Sequence, residues 1–153
     1  MRVALDSNVL AYLSGVDRAK EDKAKIARVK ALVKGLSDVT LIAPVQALGE
    51  LFVVLRKSGM PAVEAREVIA RIADGFGAPA SERATALAAA DLVVDHKLQY
   101  WDAMIVSAAA DAGCALLLSE DMQHGFVTRG MTVVNPLADE PHPKLAAIMK
   151  EEE

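Results

Sequence analysis

Val3-Ala4-Leu5-Asp6-Ser7-Asn8-Val9-Leu10-Ala11-Tyr12-Leu13 is the stretch on which the fold turns. A short apolar run stops at a polar triplet without glycine and resumes as an apolar helical start, a pattern of strand, turn and helix. Further along, Thr40-Leu41-Ile42-Ala43, Ala115-Leu116-Leu117-Leu118 and Met131-Thr132-Val133-Val134 are further short apolar runs that read as strands. Helical patterns alternate with them. Strands that are apolar on both faces and separated by helices indicate an α/β domain with a mostly parallel central sheet.

The helices follow from spacing and punctuation. Between Asp17 and Leu36, Ile26, Val29, Leu32, Val33 and Leu36 recur at helical intervals, leaving Lys20, Lys23, Lys25, Arg28, Lys30 and Lys34 on a basic outer face. Val45 to Lys57 reads as a helix closed by Ser58-Gly59, and Pro61 opens another to about Asp74. Ser81 is the expected cap of a helix from Glu82 to about Lys97, and Tyr100-Trp101-Asp102 leads into an Ala-rich helix ending near Gly113. No internal repeat interrupts this order. Residues 1–137 form the expected domain, and 138–153, proline-containing and ending in Glu151-Glu152-Glu153, the expected weakly ordered or partner-docking tail.

A chain of 153 residues has the usual length of one domain, and with 53% hydrophobic but 4% aromatic residues its core must be built from Ala, Val, Leu and Ile. The single cysteine, Cys114, allows no internal disulfide and no thiolate metal site, which suits a reducing cytoplasm. No run approaches the ~18 apolar residues of a membrane span, so no membrane partner is expected. A formal charge of −4 argues against broad attraction to a polyanion. Any nucleic-acid binding must use local basic patches or a metal.

Four carboxylates stand out. Asp6 and Asp121 lie just beyond the carboxyl ends of expected strands, where open parallel sheets place ligands; each is also suited to cap the helix that follows. Ser7, Asn8 and Ser119 are alternative caps that would release them. Glu50 lies among Leu48, Leu51, Phe52, Val53, Val54 and Leu55, on a helix apolar almost all round. A charge there costs several kcal/mol unless a cation, a hydrogen bond, a shifted pKa or a gap to solvent compensates. Asp102 falls in a first helical turn with Ile105 and Val106 as its i+3 and i+4 neighbours, facing apolar surface or capping its own helix. Four acids from distant parts of the chain, with no Cys or His cluster, suit a hard oxygen-loving cation such as Mg2+ or Mn2+ rather than zinc. Crowded carboxylates repel, and a divalent ion relieves that repulsion. Phosphodiester hydrolysis, with water activated by metal and no side-chain nucleophile, is the chemistry such sites support.

Asp6-Ser7-Asn8, Glu50, Tyr100-Trp101-Asp102-Ala103 and Leu118-Ser119-Glu120-Asp121-Met122-Gln123-His124-Gly125 together resemble the motifs of PIN-domain proteins, over residues 1 to about 137. The size resembles the VapC-type toxin ribonucleases of that group. The resemblance implies a three-layer α/β/α sandwich, Mg2+ or Mn2+, endoribonuclease activity on single-stranded RNA, a homodimer, and a protein antitoxin that blocks the site. It carries the acidic quartet onto Asp6, Glu50, Asp102 and Asp121, a supporting hydroxyl onto Ser119 and a supporting polar residue onto Asn8. Glu120 is an additional candidate ligand. His124 is expected to be structural or exposed.

Arg56 and Lys57, at the end of the Glu50 helix, are the candidate RNA contacts, with Arg66, Arg71 or the basic helix contributing. Tyr100 or Trp101 could stack on a base, although Trp101, beside an Ala-rich helix, is expected in the core. Other classes compete. A housekeeping PIN-domain RNA-processing nuclease would share every motif. An aspartate-based phosphatase or phospho-acceptor domain usually has a second Asp two residues after the first, where this chain has Asn8. A dinucleotide-binding module needs a glycine-rich turn after the first strand, and none is present.

Overall fold

The computed structural model describes residues 1–149; the Glu151-Glu152-Glu153 end of the expected tail lies outside the described residues. Among the described residues five strands, β1 (Arg2–Leu5), β2 (Thr40–Ile42), β3 (Leu116–Leu118), β4 (Val127–Thr128) and β5 (Met131–Val134), form one sheet in the order β2-β1-β3-β5-β4. All neighbours are parallel except β4 with β5. β3 and β5 are buried along their whole length and β1 along all but Arg2, as expected of strands covered on both faces. The domain is a three-layer α/β/α sandwich, as the sequence leads one to expect. Among the described residues no helix is long and apolar enough to cross a membrane.

Seven helices accompany the sheet among the described residues: α1 (Ser7–Leu13), α2 (Asp22–Gly35), α3 (Val45–Lys57), α4 (Ala62–Gly75), α5 (Arg83–His96), α6 (Tyr100–Asp111) and α7 (Pro143–Ala146). α1 packs on α2 and α3, α3 on α4, and α5 on α6. Three local outcomes differ from the sequence reading. α2 begins at Asp22 rather than Asp17, because the Asp22 carboxylate takes the backbone N–H groups of Arg18 and Ala19 at 2.9 and 3.0 Å and holds that stretch as a turn. Ser81 does not cap α5; Glu82 does, in a reciprocal capping box with Thr85, while the Ser81 hydroxyl accepts a hydrogen bond from Gln46. The edge strand β4 is an element that two residues, Val127-Thr128, are too few to announce by periodicity.

The register of the central strands sets up everything at one rim. Leu5 is level with Leu118, and Leu118 with Val134, so the residues after them emerge side by side. Asp6 N donates to Leu118 O at 2.9 Å and Ser119 N to Val134 O at 3.0 Å, extending the ladder to that edge.

Beyond residue 137 the chain returns to the body. Arg28 on α2 donates to the carbonyls of Leu137 and Ala138, Lys144 donates to the Thr132 hydroxyl, and Leu145 on α7 joins the main core at 3% exposure. Leu145→Ala is therefore expected to destabilise the protein by about 2–4 kcal/mol in denaturant unfolding with the m-value unchanged, whereas Leu87→Ala, at an exposed position of α5, should cost almost nothing. Equal midpoints for the two variants would mean that the segment contributes nothing to the fold.

Candidate active site

Asp6 is where the sheet hands over to α1. Its extended backbone makes it the N-cap, its Oδ1 accepting from Ser7 N at 2.7 Å, while Oδ2 accepts from the Ser119 hydroxyl at 2.7 Å. Capping and membership of the acid group, which the sequence presents as alternatives, are thus both held by one residue. Ser119 follows β3 directly and is fully buried; its hydroxyl oxygen also accepts from Met122 N at 3.3 Å, which ties the loop after β3 to Asp6.

Asn8 links the two strand ends. Its Nδ2 donates to Asp121 Oδ2 at 3.2 Å and lies 3.4 Å from Asp6 Oδ2, and its Oδ1 accepts from Glu120 N at 3.2 Å. Asp121 itself is exposed. Glu50, half-buried on α3, accepts a 2.7 Å hydrogen bond from the Ser7 hydroxyl, which supplies part of the compensation that its apolar surroundings demand. Asp102 in the first turn of α6 is half-buried, with no side-chain cap at that helix; Gln99 occupies the N-cap position.

The electrostatics show that these side chains share one space. Burial pushes the Asp6 carboxyl up to about 6 against the hydrogen bonds from Ser119 and Ser7, and the charges of Asp102 and Glu50 push the same way. Asp102 is raised by burial, then by Glu50 and Asp121. The structure therefore gathers the four expected acids at the carboxyl rim of the sheet, with Asp102 within electrostatic reach of Asp6, Glu50 and Asp121, and Glu50 within reach of Asp6. Among the described residues, however, no three His, Cys, Asp or Glu side chains form a ready-made metal cage. The donor chemistry fits a hard divalent cation, since every candidate ligand atom is a carboxylate oxygen and the group is crowded with like charge. A cation would have to draw the side chains together.

Glu120 points elsewhere. Its Oε1 is 2.8 Å from Lys25 Nζ on α2, with the Tyr12 hydroxyl also near that ammonium, and its Oε2 is buried without a hydrogen-bond partner. Glu120 holds the Lys25 charge well above the usual ammonium range. Sequence reading misses the involvement of Lys25 and Tyr12, because one lysine among five basic residues on α2 carries no distinguishing signal. It also misses the service of Ser7 to Glu50, which appears only once α1 packs on α3. His124, exposed, accepts from Asn135 N at 2.9 Å and meets His142 edge to face, a structural role. Arg56 donates to the Met60 carbonyl at 2.9 Å, closing the turn after its own helix, and Lys57 is exposed. Trp101 is not in the core: it is 58% exposed at the start of α6, because the core-facing positions of this helix begin at Ala103.

Solved structures with this architecture include Mycobacterium tuberculosis VapC20, described as a sarcin-ricin loop cleaving toxin. It superposes with a TM-score of 0.60 at 17% identity over 75% of this chain and 86% of that one. Rickettsia felis VapBC2, bound to a DNA fragment from its promoter, gives a TM-score of 0.61 at 12% identity over 87% of this chain and 97% of that one. Identities this low establish a shared fold. No curated protein sequence matches the chain. A family model for the PIN domain matches residues 3–126, which take in β1 with Asp6, the Glu50 helix, Asp102 and the Ser119–Asp121 loop, and the chain belongs to the PIN-domain family.

Proposed function

We propose that the protein is a metal-dependent endoribonuclease that hydrolyses phosphodiester bonds in single-stranded RNA, and that it is the toxin of a toxin–antitoxin pair. The observation that carries this is the gathering of Asp6, Glu50, Asp102 and Asp121 at one rim of a PIN-domain sheet with no thiol or imidazole among them. The toxin assignment draws on the fold shared with VapC20 and VapBC2, and on the same grounds the partners are a protein antitoxin and a second copy of the chain.

In this reading the four acids hold Mg2+ or Mn2+, and the bound metal supplies activated water and charge neutralisation at the phosphate. The chain's own polar residues prepare that arrangement. Ser119 and the Ser7 amide fix both oxygens of Asp6, the Ser7 hydroxyl orients Glu50, and Asn8 sets the separation of Asp6 and Asp121. Glu120, engaged by Lys25, supports the loop rather than the ion. The phospho-acceptor alternative fits poorly, since Asp6 is 3% exposed with each oxygen accepting a hydrogen bond and is not presented for attack on phosphorus. A housekeeping processing nuclease would use the same site, and only behaviour in cells separates it from a toxin.

Cleavage of single-stranded RNA should require Mg2+ or Mn2+ and stop in chelator; turnover that survives exhaustive chelation would sink the metal mechanism. Asp102→Asn should slow cleavage by roughly 100-fold or more, as expected for loss of a metal ligand, while melting no lower than the parent without metal, because it removes one repelling charge.

The metal-free protein should also show the acids' cost as a function of pH. Asp6 has a folded pKa of about 6, above its ordinary value of 3.8, so its protonated form favours the fold; that contribution is complete below about pH 4 and is lost as pH rises through about 6. Melting temperature in chelator should fall across that window, by less in Asp6→Asn, and millimolar Mg2+ or Mn2+ should restore it at pH 7.5. A melting curve indifferent to both ions at that pH would count against a metal site.

Expression in a bacterial cell should arrest growth, and Asp6→Asn should relieve the arrest. If the folded, metal-active enzyme leaves growth unaffected, RNA processing replaces the toxin assignment.

A further inference from the structure

Beside the acids, α3 and α6 enclose a hollow of about 330 Å³ lined by Gln46, Gly49, Glu50, Val53 and Trp101. Its walls are mostly apolar and open to solvent, with Val53 50% exposed on one side and the Trp101 indole on the other. Tyr100 braces that indole edge to face, with ring centroids 5.5 Å apart and planes at 71°. Gly49 leaves the floor open: a Cβ added there would meet nothing within 4 Å.

Position defines what such a hollow can take. Trp101 immediately precedes Asp102, and Glu50 belongs both to the hollow and to the acid group, so an occupant lies next to whatever the acids hold. Lys57 follows Glu50 by seven residues, on the same face of α3 and about 10 Å further along the axis. A flat π-surface, a phosphate-directed acid site at one end and an exposed ammonium at the other match a nucleotide: a base on the ring, one phosphate at the acids and the next toward the lysine.

We infer that Trp101 is a stacking platform, on which a nucleobase adjoining the scissile phosphate of single-stranded RNA lies in the hollow between α3 and α6, with Lys57 drawing the neighbouring phosphate. This rests on the ribonuclease reading above and adds where the strand runs. A flat apolar platform holds any base by its face, so the subsite favours unpaired RNA without selecting a sequence. A base still paired and stacked in a duplex cannot enter it.

Trp101 is the only tryptophan in the chain, so its fluorescence reports on this site alone. Full-length Asp6→Asn protein, which should not cut, is titrated with single-stranded oligoadenylate; the emission should be quenched saturably, and duplex RNA should quench far less. In the otherwise unaltered enzyme, Trp101→Ala and Gly49→Leu should each raise KM for RNA cleavage about tenfold, the size expected for one stacked base, and Trp101→Phe should recover most of the loss. Gly49→Leu guards against misfolding as an explanation, since it fills open space on a helix and should melt no lower than the parent. Oligoadenylate that leaves the emission untouched, or Trp101→Ala with unaltered KM, overturns the stacking platform while the nuclease reading stands. Emission that shifts on diluting the protein alone and ignores RNA also overturns it, and makes the patch a contact between copies. A parent enzyme that cleaves no RNA with either metal overturns the ribonuclease reading and this inference with it.

Discussion

A buried carboxylate at the end of the central strand is the constraint around which this domain is organised. Asp6 sits at 3% exposure, and a carboxylate taken that far from water needs hydrogen bonds in proportion. It finds them in the first N–H of α1 and in the hydroxyl of Ser119. The Ser119 contact exists only because Leu5 and Leu118 are in register, so a shift of β3 by one residue would remove the serine and turn every β3 side chain to the opposite face. Sheet register, the start of α1 and the geometry of the acid group are one requirement seen at three scales.

The rest of the rim extends that requirement. Ser7 caps nothing itself, yet its amide binds Asp6 and its hydroxyl binds Glu50, coupling the strand end to α3. Asn8 does the same between β1 and the loop after β3. Two consecutive residues, Ser7 and Asn8, thus contact three of the four acids through short polar side chains and an amide. That economy leaves little freedom in Asp6-Ser7-Asn8, and it leaves Asp102, outside this network, as the acid held mainly by the placement of its helix.

The sheet and most helices are legible in the sequence because unalternated apolar runs and helical spacing both report burial, and burial is what the sheet imposes. The four acids are legible for the same reason, as charges set where apolar neighbours or strand ends make them costly. Features decided by tertiary contact are not. Nothing local makes Lys25 rather than Lys23 the partner of Glu120, since that follows from how α2 packs across α1. Ser81 has the chemistry of a cap but is taken by Gln46, so Glu82 serves with Thr85. Trp101 looks like core because tryptophan usually is; only the rotation of α6, which buries Ala103 to Ala109 without a break, shows that its first turn faces out. Leu145 shows the converse, a single apolar side chain in a proline-rich segment that lies too far from any periodic pattern to announce its place in the core.

The basic residues follow the same logic, and it bears on how an acidic protein could hold a polyanion. Lys25 is committed to Glu120, Arg28 to the carbonyls of residues 137 and 138, Arg56 to the Met60 carbonyl and Arg129 to Asp111. These side chains hold the domain together, and they are not poised to gather phosphates. Other basic side chains, Lys57 among them, stand exposed, so how steeply any binding of a polyanion falls with salt measures how many of them meet phosphate. With a net charge of −4, the proposed ribonuclease would draw on the few places where charge is locally reversed or irrelevant: the acid rim once neutralised by metal, and the uncharged aromatic wall beside it. In that proposal binding would depend on the metal before it depended on the lysines, because four crowded carboxylates repel a polyanion until a cation fills them.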